Sequence, residues 1–232
     1  VSDIGLDAAV DDVFAAIDVR YVQGLAEAVD TAARTVDVLD AENRLSKLGY
    51  DRLILATGSR LFRPDIPGLA EHGFSVDQYE DAVALDCHLH SLADRPDSMA
   101  RNTVVVAGGG FTGIEAATEM PGRLRAILGK DAKIRVIIVE RNDAIAPDMG
   151  EHPRPIIENA IRELGIETRT GVGVAALDDR SVTLSDGERI ECATVIWAAG
   201  MRAAPLTAQI PSARDKFGRL VVDRDLRVPE VP

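Results

Sequence analysis

Gly108, Gly110 and Gly113 stand in G-x-G-x-x-G spacing inside Thr103–Glu115, TVVVAGGGFTGIE. The chemistry this spacing serves is the holding of a dinucleotide pyrophosphate. The first glycine permits a tight turn, the second lets backbone approach the phosphates, and the third lets a helix pack closely on a strand. The elements needed to position them are present in order. Val104, Val105 and Val106 form a short buried strand before the glycines, and Ile114–Ala117 begins a helical pattern after them. Free N–H groups at the helix start then face the phosphates, and the helix dipole adds attraction.

A glycine motif alone would also suit a turn in some other α/β fold, so the next strand matters. Lys133–Glu140 reads KIRVIIVE, a β-branched run ending in an acid. In a dinucleotide fold that acid, here Glu140, accepts from the adenosine ribose hydroxyls. It lies further from Gly113 than the roughly 20 residues usual for this motif. Extra residues around Met120-Pro121-Gly122 account for the excess. Glu140 would repel a 2′-phosphate, which favours NADH over NADPH, while Arg141 beside it softens that preference.

The rest of the composition bounds the class. The chain has 232 residues, 46% hydrophobic and only 4% aromatic, so Val, Ile, Leu and Ala carry the apolar content. That mix suits parallel strands covered by helices. The net charge of −12 comes without a basic patch, which excludes a nucleic-acid partner. It also disfavours docking on anionic lipid. Cys87 and Cys192 are far apart and make no C-x-x-C pair, so a disulfide framework is not expected and a reducing cytosol is the natural setting. No apolar run approaches the roughly 18 residues of a membrane helix.

Along the chain, residues 1–18 read as a short acidic helix. Val19–Val22, Leu25–Asp30 and Thr35–Leu39 read as a small antiparallel meander. Asp51–Gly58 (DRLILATG) reads as a buried strand and turn, and Arg63–Gly68 as a proline-punctuated crossing. Asp77–Leu92 is helical, with Ala82, Val83, Leu85, Leu89 and Leu92 apolar. Glu151–Leu164 is a second amphipathic helix, closed by Gly165. Ile166–Thr170 is a parallel strand. Gly173–Leu177, Ser181–Leu184 and Ile190–Cys192 form a second meander, which Val195–Gly200 (VIWAAG) closes. Leu53–Gly58 (LILATG) echoes that closing segment, each being a strand running into a small-residue turn. His88 and His90, two apart, fall on different helix faces; that disfavours a metal site and makes them solvent-facing. Cys87 beside them reads as helix packing.

These residues resemble the FAD-dependent pyridine nucleotide-disulfide oxidoreductases, flavoproteins with two dinucleotide domains. The resemblance rests on Tyr50-Asp51 before LILATGS, RPDIPG, VVVAGGGFTGIEAATE, Glu140, WAAGMRAAPL and Asp215–Asp223 (DKFGRLVVD). Thr112, Glu115 and Trp197–Leu206 point to the type II NADH dehydrogenase branch. The implied fold is α/β: a Rossmann-like NAD(P)-binding domain with a small β-meander, flanked by partial FAD-domain segments. The implied division is residues 1–70 as partial FAD domain, 71–202 as NAD(H) domain, and 203–232 as a return segment. No glycine motif precedes Tyr50, and the chain stops at Val228–Pro232, where a Gly-Asp pair for FAD would begin; it is therefore expected to be an interior fragment.

The resemblance also implies roles. Gly108, Gly110, Phe111, Thr112 and Gly113 would hold the pyrophosphate, Ala199 and Gly200 would admit the nicotinamide ribose, and Thr57 and Gly58 would face FAD in the parent. Glu115 would lie near the nicotinamide, with a first-turn carboxylate favoured by the helix dipole as the alternative. The expected function is the NADH-binding portion of an FAD-dependent oxidoreductase, with hydride passing from NADH to FAD and on to an acceptor such as quinone. The expected parent is cytoplasmic or peripheral at the inner face of the cell membrane, and homodimeric. Two other functions share these residues: a non-catalytic NAD(H)-binding regulatory module, and a disulfide reductase of the same fold whose redox cysteines lie upstream.

Overall fold

Short alternating runs near the start of the chain fold as an antiparallel meander of β1 (Leu25–Asp30), β2 (Thr35–Leu39) and β3 (Leu45–Gly49). The structure is a computed structural model, and it describes residues 14, 16–147, 149–150, 152–229 and 231. The acidic helix expected over residues 1–18 falls mostly outside these. Asp30 and Asp40 build the two turns of the meander. Asp30 Oδ1 accepts from the Ala32 and Ala33 amides, and Asp40 Oδ1 accepts from the amides of Glu42 and Arg44. The expected strand at Val19–Val22 is not formed. Val19, Tyr21 and Val22 are exposed, and the third strand of the meander is Leu45–Gly49, which pairs with all of β2 after the Asp40 turn.

The chain divides into two compact units, Val1–Gly58 with Ala203–Pro232, and Ser59–Arg202. In the first, Val29 packs with Leu206 and Ile210. Gln209 ties the same elements by polar contacts: its Oε1 accepts from Val29 N–H at 3.0 Å and its Nε2 donates to Glu27 O at 2.8 Å. Asp51–Gly58, expected as a buried strand, is neither: it is irregular, mostly exposed, and Ile54 is 89% accessible. A buried strand needs partners along its edges and cover on both faces, and among the described residues no strand pairs with this run. The echo between Leu53–Gly58 and Val195–Gly200 is therefore one of sequence, not of structure.

The second unit contains β4 (Ser59–Leu61), α1 (Leu69–His72), β5 (Gly73–Phe74), α2 (Tyr79–Ser91) and α3 (Met99–Asn102). There follow β6 (Thr103–Ala107), α4 (Phe111–Leu128), β7 (Arg135–Glu140), α5 (Arg154–Glu163) and β8 (Glu167–Thr170). Last come β9 (Val174–Leu177), β10 (Ser181–Leu184), β11 (Arg189–Glu191) and β12 (Thr194–Trp197). Five strands form a parallel sheet in the order β5-β12-β6-β7-β8.

Period-two alternation decides what each face buries. Val104, Val106, Val136, Ile138 and Ile196 face Leu85, Leu89, Ile114, Ala117, Leu124 and Ile161 of α2, α4 and α5. Val105, Ile137, Val139 and Val195 face Leu177, Val182, Leu184 and Ile190 of the meander β9–β11. The sheet thus has helices on one side and a small antiparallel sheet on the other. Gly165 lies just beyond α5 at φ +69°, and the amides of Gly165 and Ile166 bond back to Arg162 and Ile161 carbonyls. The extra residues around Met120-Pro121-Gly122 belong to a helix. They lie in the middle of α4, with Met120 and Pro121 buried, so the long spacing to Glu140 comes from an 18-residue helix.

Candidate functional site

The glycine motif lies at the carboxyl end of β6, where the strand order switches: β7 follows on one side and β12 lies on the other. Open parallel sheets place ligands at such a switch point. Gly108 has φ +118°, and its N–H donates to Val139 O at 2.8 Å. A Cβ there would lie 3.0 Å from Ala199 N, so the turn runs close along the backbone after β12. Gly113 is tighter still, since a Cβ would lie 1.8 Å from Gly108 O. Gly110 is the N-cap residue of α4, and a Cβ on it would meet no heavy atom within 4 Å. Gly108 thus makes a tight turn, Gly113 allows close packing, and the backbone at Gly110 is open.

The amides of Phe111, Thr112 and Gly113 belong to the first turn of α4 and have no intrahelical acceptor. They form, with the open backbone at Gly110, a cradle suited to a pyrophosphate. Phe111 is exposed and Thr112 half-buried. The residues therefore fit a dinucleotide on observations of the turn itself.

Glu140 ends β7 and is only 8% accessible. Its carboxylate is already engaged. Oε2 accepts from Gly109 N–H at 2.7 Å; Oε1 accepts from Asn142 N–H at 2.8 Å and from Asn142 Nδ2 at 2.6 Å. Gly109 is closely enclosed, since a Cβ would come within 2.9 Å of Ile145 Cδ1 and 3.0 Å of Glu140 Cβ and those side chains would have to give way. Ala146 N–H closes the clasp on Gly109 O at 2.8 Å. Sequence reasoning passed over Gly109 and Asn142. The signal for Asn142 was an amide side chain two residues past an acid at a strand end, a spacing suited to short local hydrogen bonds.

Ala199 and Gly200 follow β12, and Ala198 N–H donates to Ala107 O at 2.8 Å. Gly200 has φ +84°, and its carbonyl accepts from Phe62 N–H at 2.7 Å. Trp197 Nε1 donates to Phe62 O at 3.0 Å. Glu115 is exposed and sits in the second turn of α4, beyond the first turn where a carboxylate gains most from the dipole. The structure thus gathers Gly108, Gly110, Phe111, Thr112, Gly113, Glu140 and Ala199 around one turn. Thr57 and Gly58 belong to the other unit, where both are exposed.

Two readings need correction. His88 is not solvent-facing: its ring packs 4.2 Å from that of Phe74, and Nε2 lies 2.9 Å from Thr194 Oγ1. Burial, with Arg95 nearby, pushes its pKa down to about 4. Cys87 is exposed, not packed, whereas Cys192 is buried and its thiol is pushed up to about 12 by desolvation. Arg123 pairs with Asp86. A cleft of about 810 Å³, lined by Arg95, Arg101, Arg180 and Arg189 among others, includes none of the residues around the glycine turn.

A family model described as pyridine nucleotide-disulphide oxidoreductase matches residues 6–232. The chain is 48% identical over 223 residues to an NADH dehydrogenase-like protein of Mycobacterium tuberculosis, covering 95% of this chain and 55% of that protein. It is 28% identical over 235 residues to a type II NADH:quinone oxidoreductase of the same species, covering 91% and 49%. Among solved structures, NDH2 from Plasmodium falciparum in complex with NADH superposes with a TM-score of 0.71 at 22% identity, over 91% of this chain and 48% of that one. Reduced Bacillus anthracis CoADR-RHD gives 0.72 at 21% identity, over 92% and 37%. At such identities the likeness is one of fold. The chain spans about half the length of the curated relatives it matches.

Proposed function

This chain belongs to the pyridine nucleotide-disulphide oxidoreductase family, and from that premise we propose that it carries the NADH-binding portion of an FAD-dependent NADH oxidoreductase. The observation that carries the reading is the contact of Gly113 with Gly108 O, which seats the first turn of α4 at the end of β6. The amides of Phe111, Thr112 and Gly113 then hold the pyrophosphate, with Gly108 and Gly110 giving the backbone room to approach. Glu140 accepts from the adenosine ribose. Ala199 and Gly200 leave space for the nicotinamide ribose, and Glu115 accepts from the nicotinamide carboxamide.

When bound, the nicotinamide supplies a hydride for flavin N5. The chain's own part is to bind, orient and shield the dinucleotide. The described residues of the first unit offer FAD only Thr57 and Gly58, without a strand–glycine turn–helix. FAD belongs to the whole protein in this proposal.

The acceptor we propose is a quinone, on the support of relatives described as NADH:quinone oxidoreductases. Among the described residues no helix is long and apolar enough to cross a membrane. We further propose that the whole protein is a homodimer attached peripherally at the inner face of the cell membrane. The test uses the full-length protein under anaerobic conditions. NADH should bleach its flavin absorbance and a soluble quinone should restore it; a protein without flavin, or one whose flavin NADH leaves oxidised, contradicts the proposal.

A further inference from the structure

Glu140 is held by three donors, two of them from Asn142. A carboxylate offers about four lone-pair sites. The backbone and side-chain N–H groups of Asn142 fill both sites on Oε1, and Gly109 N–H fills one on Oε2. A single site on Oε2 is left. A free glutamate side chain at a strand end has several rotamers and loses much of that freedom on binding. Here the Asn142 side chain, bonded at 2.6 Å, has already removed it. Asn142 is itself fixed, since its carbonyl accepts from Gly171 N–H at 3.0 Å, and Glu140 O accepts from Val172 N–H at 3.2 Å. The loop after β7 and the start of the next meander thus lock together behind the carboxylate.

We propose that Asn142 is a positioning residue for cofactor choice: by saturating Oε1 it aims the one open site of Oε2 at a ribose hydroxyl and keeps the negative charge where a 2′-phosphate would lie. The inference rests on the reading of this turn as an NADH site. It goes beyond it by naming the group that sets selectivity and the carboxylate oxygen that acts. Arg141, between the two, has no charged partner among the described residues, and its Cγ and Cδ lie against Gly173. If Glu140 is released, Arg141 becomes the dominant charge for a 2′-phosphate, since a guanidinium recognises phosphate in a bidentate way.

The test is calorimetric titration of the chain with NADH and with NADPH, in the wild type and in Asn142→Ala. NADH affinity should fall about five- to tenfold, because binding must then order a glutamate side chain that the wild type already holds fixed. NADPH affinity should stay level or rise, so that the preference for NADH narrows by about tenfold or more. A merely structural role would weaken both cofactors alike and leave the ratio unchanged, which overturns the inference. Asn142→Leu is the second variant, because it fills about the same space, carries no charge and cannot donate; it should narrow the ratio in the same direction if Asn142→Ala does not fold. Wild type that binds neither cofactor overturns the NADH reading and this inference together. Wild type that prefers NADH, with either variant keeping that ratio, overturns this inference alone.

Discussion

Gly113 and the carbonyl oxygen of Gly108 approach so closely that a Cβ on Gly113 would sit 1.8 Å from that oxygen. This one contact places the helix start of α4 against the end of β6. It makes a helical glycine irreplaceable where propensity alone would favour alanine by about 1 kcal/mol. Gly113→Ala is therefore expected to lower the melting temperature and to abolish NADH binding, since the helix must move away from the turn. Gly122, in the same helix, is the control: a Cβ there meets nothing within 4 Å. Gly122→Ala should leave binding intact and raise the melting temperature by a few degrees, following about 0.5–1 kcal/mol of backbone entropy. Thermal melts of the two variants with opposite signs would bear this out.

Glu140→Gln replaces one acceptor oxygen by a donor in a site already supplied with three donors. Whichever way the amide turns, an N–H faces an N–H. Losing a charge-assisted bond in this buried place costs about 2 kcal/mol, roughly 4–8 °C in melting temperature. The glycine turn loosens with it, so Gly109 N–H should exchange with solvent faster. Amide exchange followed by NMR in the free chain measures this directly.

His88 makes stability pH-dependent. Its folded-state pKa, about 4, lies below the ordinary 6.5, so the unfolded chain takes up the proton first. The stability due to neutral His88 is complete above about pH 6.5 and is lost as the pH falls toward 4. His88→Gln can keep a hydrogen bond to Thr194 and cannot titrate. Between pH 7 and 5 the melting temperature of the wild type should fall more than that of the variant. Equal slopes would mean that His88 is not held neutral in the fold.

The two cysteines should separate by reactivity. Cys87 is exposed, while desolvation raises the Cys192 thiol to about 12 and leaves no thiolate near neutrality. A thiol reagent at pH 7.5 should modify one cysteine per native chain and two in denaturant. Peptide mapping should place the native label on Cys87.

Much of the second unit was legible because its strands are apolar on both faces. Val104–Val106 and Val136–Val139 could be read as parallel strands from composition, and the glycine turn between them from spacing. The helix α5, its closing Gly165 and the meander β9–β11 also followed from period and punctuation. Leu53–Gly58 misled for the converse reason: an apolar run reports a wish for burial, not the presence of a partner strand. His88 was misplaced because spacing along α2 cannot show that Phe74, in the strand before it, folds back against its ring. Gly109 escaped notice because its constraint comes from Ile145, beyond β7. Asn142 became visible only once both oxygens of Glu140 could be followed.

The central claim is that this chain binds NADH at the turn Gly108–Gly113. Titration with NADH, followed by quenching of Trp197 two residues before Ala199, tests it most directly. Saturable quenching below millimolar NADH, absent in Gly113→Ala and weaker with NADPH, is the result expected. No binding of either cofactor at millimolar concentration by a folded chain would contradict the account.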